Sequence, residues 1–138
     1  MATYNHDDSW LLPFLAVVKT RPGMYLGDER VETLATYIVA YMQARRDLGV
    51  PSYRPEDQEM LEEFTYWLSK RRQSDDDCAW DGHVKQIDSS GANVHTFFRL
   101  FEEFLAERGK ALPDFVGRTA TWPAHPWPLK PLWPPKRY

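Results

Sequence analysis

The sequence predicts an all-α protein: a compact, single-domain bundle of about five helices at residues 1 to 114, followed by a Pro/Trp-rich extended tail at 115 to 138. Three observations carry this prediction. Apolar residues recur three to four positions apart in five stretches, and no period-two alternation of useful length appears. Six of the eleven prolines fall between Pro123 and Pro135, where neither a helix nor a central strand can form. The chain has 138 residues, one domain by size, and its 43% apolar and 14% aromatic residues suffice for a core.

The first stretch runs from about Ser9, a candidate N-cap, to Lys19, with Trp10, Phe14, Val17 and Val18 at helical intervals and Pro13 near its start. The second runs from about Glu29 to Leu48. Val31, Leu34, Ile38, Val39 and Met42 form its stripe, Asp28 is placed to cap it, and Gly49 with Pro51 stops it. Pro55 suits the first position of a third helix, with Glu56 and Asp57 in its first turn and Lys70, Arg71 and Arg72 at its end. Met60, Leu61, Phe64, Trp67 and Leu68 make its apolar face. A short fourth helix is predicted from about Asp77 to Ile87 on Trp80, Val84 and Ile87, weakened by Gly82. The fifth, from about Ala92 to Arg108, carries the most apolar face of all: Val94, Phe97, Phe98, Phe101, Phe104 and Leu105.

Arg21-Pro22-Gly23-Met24-Tyr25-Leu26-Gly27 stands apart from these helices. Pro22 fixes φ, and Gly23 and Gly27 are both free to take positive φ. Met24 and Tyr25 supply a flexible and a rigid apolar anchor. The expected arrangement is a turn tucked beneath the second and fifth helices, with Arg21 paired to an acid or presented to a partner. The tail interleaves Trp122, Trp127 and Trp133 with its prolines, so polyproline II packed along a groove of the body, or in a partner, is expected there.

The turn is similar to one in the ATPase domain of DNA gyrase and its relatives. The following helix, however, has no Asn beside Glu32, and the chain has no glycine-rich phosphate lid. A wider resemblance is to small bacterial helical proteins, many encoded near secreted polymorphic toxins. It rests on Arg21 to Gly27, Phe64 and Trp67, Trp80, and Phe97, Phe98, Leu100, Phe101 and Phe104, and spans residues 10 to 108. The resemblance implies an immunity-like protein that neutralises a toxin by direct contact.

Charge is compatible with that expectation. The net charge of −3 divides into +4 for residues 115 to 138 and −7 for residues 1 to 114. An acidic body disfavours nucleic acid and suits a basic toxin domain. Asp75, Asp76, Asp77 and Asp81, with Arg21 as a further contact, are the candidate partner-binding residues. The acidic run lacks the spacing of a calcium loop, and the four histidines have no metal-ligand spacing, so no metal or cofactor is expected. Neither a phosphate loop nor a nucleophile elbow is present, and no catalytic residue is assigned. The rival readings are an enzyme of a toxin or defence system, which would gather Arg21, Tyr25, His83 and an acid in one pocket, and a phage-related adaptor docking through its tail. Trp10 to Val18 is too short to span a membrane. The lone Cys78 and the acidic Asn5-His6-Asp7-Asp8 start, unlike a signal peptide, predict a cytoplasmic protein.

Overall fold

A computed structural model describes residues 10–49 and 55–114. Six helices and no strand occur among them: α1 Leu11–Thr20, α2 Pro22–Leu26, α3 Val31–Asp47, α4 Pro55–Arg72, α5 Trp80–Ile87 and α6 Val94–Glu107. The all-α fold follows from helical spacing of the apolar residues. The expected tail and the expected Ser9 cap lie outside the described residues.

The core gathers around α6. Phe97, Phe101, Phe104 and Leu105 are fully buried there, with Phe98 and Leu100 nearly so. Phe64 of α4 is the hub: its ring lies 5.7 Å from Phe97, 5.0 Å from Phe101, 5.2 Å from Phe104, 5.9 Å from Trp67 and 6.4 Å from Trp80. It meets Phe97 and Phe101 edge-on, the geometry that places a ring's positive edge on another's negative face. Leu11, Leu15 and Val18 of α1, Leu34 and Ile38 of α3, and Val84 of α5 complete this cluster.

The Arg21–Gly27 segment departs from expectation. It is a short helix rather than a turn, opened by Pro22 and closed by Gly27 at φ 85°. Gly23 lies inside that helix and does not take positive φ. Once the backbone coils, Met24 and Tyr25 rotate away from the core: Met24 is 60% and Tyr25 37% exposed, while Pro22 and partly Leu26 turn inward. Arg21 is exposed, its guanidinium 3.9 Å from the Met24 sulfur, with no acid partner among the described residues.

Helix starts are secured by distant side chains. The Trp10 N–H at the head of α1 donates to Oδ2 of buried Asp57 on α4, 3.2 Å away. At α3, Asp28 does not act as the N-cap. Its Oδ1 accepts the Arg30 N–H at 3.1 Å and its Oδ2 accepts the Thr33 hydroxyl at 2.9 Å. The Val31 N–H donates instead to Oδ1 of buried Asn93 at 2.7 Å. Asn93 Nδ2 donates in turn to the Asp88 carbonyl at 2.9 Å, and the Val94 N–H donates to the Glu29 carbonyl at 3.0 Å. One buried amide thus ties the start of α3 to the α5–α6 connection, satisfying one open donor at the head of α3 and one acceptor just past the end of α5.

Candidate functional site

Helix α4 ends in three cations followed by three acids, and its last turn sends each cation elsewhere. Lys70 lies 5.3 Å over the Tyr66 ring. Arg71 stacks 4.8 Å over Trp67 and pairs with Glu103 at 2.7 Å. Only Arg72 faces the acidic loop, reaching Asp76 Oδ2 at 3.5 Å. Gln73, at φ 53°, closes the helix in the left-handed region, and the Ser74 N–H returns to the Ser69 carbonyl at 3.0 Å. The Ser74 hydroxyl accepts the Asp76 N–H at 2.9 Å, which fixes the loop's next bend.

Arg72 has a second partner that spacing along the chain does not reveal. Its Nη1 lies 2.7 Å from Nδ1 of His83, a side chain of α5 with no exposure. A guanidinium only donates, so Nδ1 accepts and the neutral ring carries its proton on Nε2. That Nε2 is buried and without a hydrogen-bond partner among the described residues. Burial, first, and the positive Arg72, second, hold the His83 pKa below its ordinary value, partly offset by Asp76. One signal for its burial exists in the sequence: His83 is three residues from Trp80 on an eight-residue helix and shares its buried stripe with Trp80 and Val84, while Ile87 at the helix end is 40% exposed.

Asp75, Asp76 and Asp77 are exposed. Among the described residues, Asp75, Asp77 and Asp81 have no ion-pair partner, so the loop keeps most of its negative charge for solvent or a ligand. Asp81 stands in the first turn of α5, half-buried, at the mouth of a groove of about 390 Å³ between α3 and α4. Ile38, Leu61 and Trp80 form its buried floor. Val39, expected from the sequence to be core, is 65% exposed on its wall beside Met42. Adjacent positions lie about 100° apart on a helix, and in α3 Ile38 faces the core at 1% exposure while Val39 turns outward. Gln43, Arg46, Gln58, Glu62 and Thr65 make the polar rim.

The close approach of the loop to α5 explains Gly82. A Cβ there would lie 2.9 Å from the Cys78 Cβ and 3.1 Å from its Sγ, so the glycine lets the acidic segment lie flat on the helix. The predicted site residues therefore divide. Asp75, Asp76, Asp77 and Asp81 lie on one loop-and-helix unit, whereas Arg21, Met24 and Tyr25 lie at α2, which packs on α1 and α3. Trp67 and Trp80, like Phe97, Phe98, Phe101 and Phe104, pack within or against the core. Trp67 also donates its indole N–H to Glu107 at 2.9 Å.

Among the described residues, no group of three or more His, Cys, Asp or Glu side chains is placed to hold a metal ion. No helix there is long and apolar enough to cross a membrane. No family model, curated protein or solved structure matches this chain.

Proposed function

We propose that this chain is an immunity-like binding protein that neutralises a bacterial toxin by covering a basic surface on it, acting in the cytoplasm. The observation that carries the reading is the juxtaposition of the acidic run with the α3–α4 groove. Asp77 precedes Ala79, a groove residue, by two positions, which keeps their Cα atoms within about 7 Å. An apolar recess flanked by uncompensated carboxylates is the arrangement in which an inserted side chain supplies affinity and the charges supply orientation and encounter rate. Asp75, Asp76, Asp77 and Asp81 orient the partner, and Val39, Met42 and Trp80 receive it. The Arg72 contacts to His83 and Asp76 hold the loop in one shape before binding, which lowers the ordering cost. The resemblance to proteins encoded near polymorphic toxins supplies the partner class.

The experiment is co-expression with the product of the neighbouring reading frame. The wild-type chain is expected to restore growth, and a variant carrying Asn at 75, 76, 77 and 81 to lose rescue while keeping its helical circular dichroism. Association should slow steeply as salt rises. Full rescue by the quadruple variant, or a salt-insensitive association rate, would count against the reading.

A further inference from the structure

Three side chains form a path from the core to solvent at the end of α4. His83 is fully buried, the Arg72 side chain against its Nδ1 is 19% exposed, and that of Asp76 beyond is 54% exposed. The guanidinium therefore covers one ring nitrogen and also ties the core to the loop at 73–79. On its α4 side the loop is held by main-chain bonds, from the Gln73 N–H to the Lys70 carbonyl at 3.1 Å and from the Ser74 N–H to the Ser69 carbonyl at 3.0 Å. Asp75 and Asp77 are exposed and have no ion pair among the described residues. Cys78 then packs on Gly82 of α5.

The bond between Arg72 and His83 exists only while the ring is neutral. Nδ1 must offer its lone pair, and a protonated imidazole has none to offer. Protonation thus replaces a 2.7 Å hydrogen bond with two like charges in a setting where little water screens them. Arg72 and Asp76 are the charged groups that act on the ring, with opposite sign, and Arg72 acts more strongly. The other elements packed on α5 turn their charges elsewhere: Glu32 of α3 to Arg30 and Lys85, and on α6 His95 to Glu29 and Arg99 to Glu103. The ring is fixed on the inner face of α5 beside Trp80 and Val84, whereas the Arg72 side chain already reaches solvent. Withdrawal of the guanidinium is therefore the relief open to this arrangement.

We infer that Arg72 and His83 form an acid-released latch on the 73–79 loop: a proton on His83 expels Arg72, which lets go of Asp76, and the acidic run leaves its neutral-pH shape while the helices stay packed. The loop carries three of the carboxylates assigned to the partner, so acid alters that surface. This consequence rests on the proposed function; the latch itself does not.

The free thiol of Cys78, half-buried against α5, reports the loop without any added group. Its reaction with dithiodipyridine is measured on the full-length chain from pH 7.5 to 5.5, each rate divided by that of the urea-unfolded chain at the same pH. One proton with the ordinary histidine affinity, near about 6.5, sets the ceiling, and the relative rate should approach a rise of about tenfold. The near-UV circular dichroism of the tryptophans should stay constant over that range. Low urea at pH 5.5 should leave the rate unchanged, since opening one loop exposes little surface. His83→Asn, which keeps an acceptor in the place of Nδ1 and does not titrate, should give a flat profile. Arg72→Met should react fast already at pH 7.5. A pH-independent wild-type rate, an equal rise in His83→Asn, or a rate that climbs in urea as steeply as global unfolding overturns the inference. Because no toxin enters the assay, such a failure leaves the growth-rescue experiment to decide the proposed function separately.

Discussion

Arg72 and His83 meet at 2.7 Å, joining the last turn of α4 to the buried face of α5. The contact places a permanent cation against a ring that can itself become charged. With Asp76 held by the same guanidinium, the acidic loop is coupled to a core residue.

Stability should therefore depend on pH in the mildly acidic range. The unfolded His83 titrates near about 6.5, and burial and Arg72 depress the native value. As pH falls below about 6.5 the unfolded chain takes up the proton first, so stability declines until the native pKa is passed. Urea midpoints between pH 7.5 and 5 should fall in the wild type, and His83→Gln should flatten that slope. The carboxylate of Asp88, lowered chiefly by the Thr96 hydroxyl and then by Ser90, acts in a separate window below about 4. An identical slope in His83→Gln would contradict the assignment.

Asn93→Ala should destabilise the fold by about 1–3 kcal/mol, since it strips an acceptor from the buried Val31 N–H and a donor from the part-buried Asp88 carbonyl. Asn93→Asp keeps an acceptor for Val31 and loses the donor to Asp88. Thermal unfolding should rank the three proteins wild type, Asp, Ala; an Ala variant equal to wild type would remove the amide from any fastening role.

Gly82→Ala should destabilise despite the roughly 1 kcal/mol that alanine gains over glycine in a helix, because the added methyl meets the Cys78 Cβ at 2.9 Å. Cys78→Gly removes the obstructing atoms and should restore much of the loss in the double variant. Coupling measured by a double-mutant cycle checks this; independent, additive effects would contradict it.

Phe64→Ala should be the most damaging of these substitutions, at about 3–5 kcal/mol, since it empties the point on which five rings converge. Tyr66→Ala, on the exposed face of the same helix, should stay within about 0.5 kcal/mol. Denaturant unfolding of the pair gives the contrast, and equal losses would refute the hub.

Periodicity is enough to read the long helices, because burying one stripe per helix is a local rule repeated many times. The Pro55 start and the glycine stops at Gly49, φ 67°, and Gly109, φ 72°, are legible for the same reason: each acts through its own backbone. What the sequence conceals depends on partners far away in the chain. Asp57 and Asn93 look like ordinary surface residues until the fold sets them against Trp10 and Val31. Met24 and Tyr25 are misplaced by the sequence because a turn and a short helix share the same Pro and Gly but aim their side chains differently. The groove is hidden too, since Val39 beside Ile38 reads as part of one apolar stripe.

The Trp10–Asp57 bond spans 47 residues and the Val31–Asn93 bond spans 62. During synthesis, the heads of α1 and α3 leave the ribosome long before the side chains that complete them. The first half of the protein must wait, with its apolar stripes uncovered, until the closing aromatic helix emerges. A nascent chain stalled before residue 93 should therefore bind chaperones and yield to proteases throughout its length.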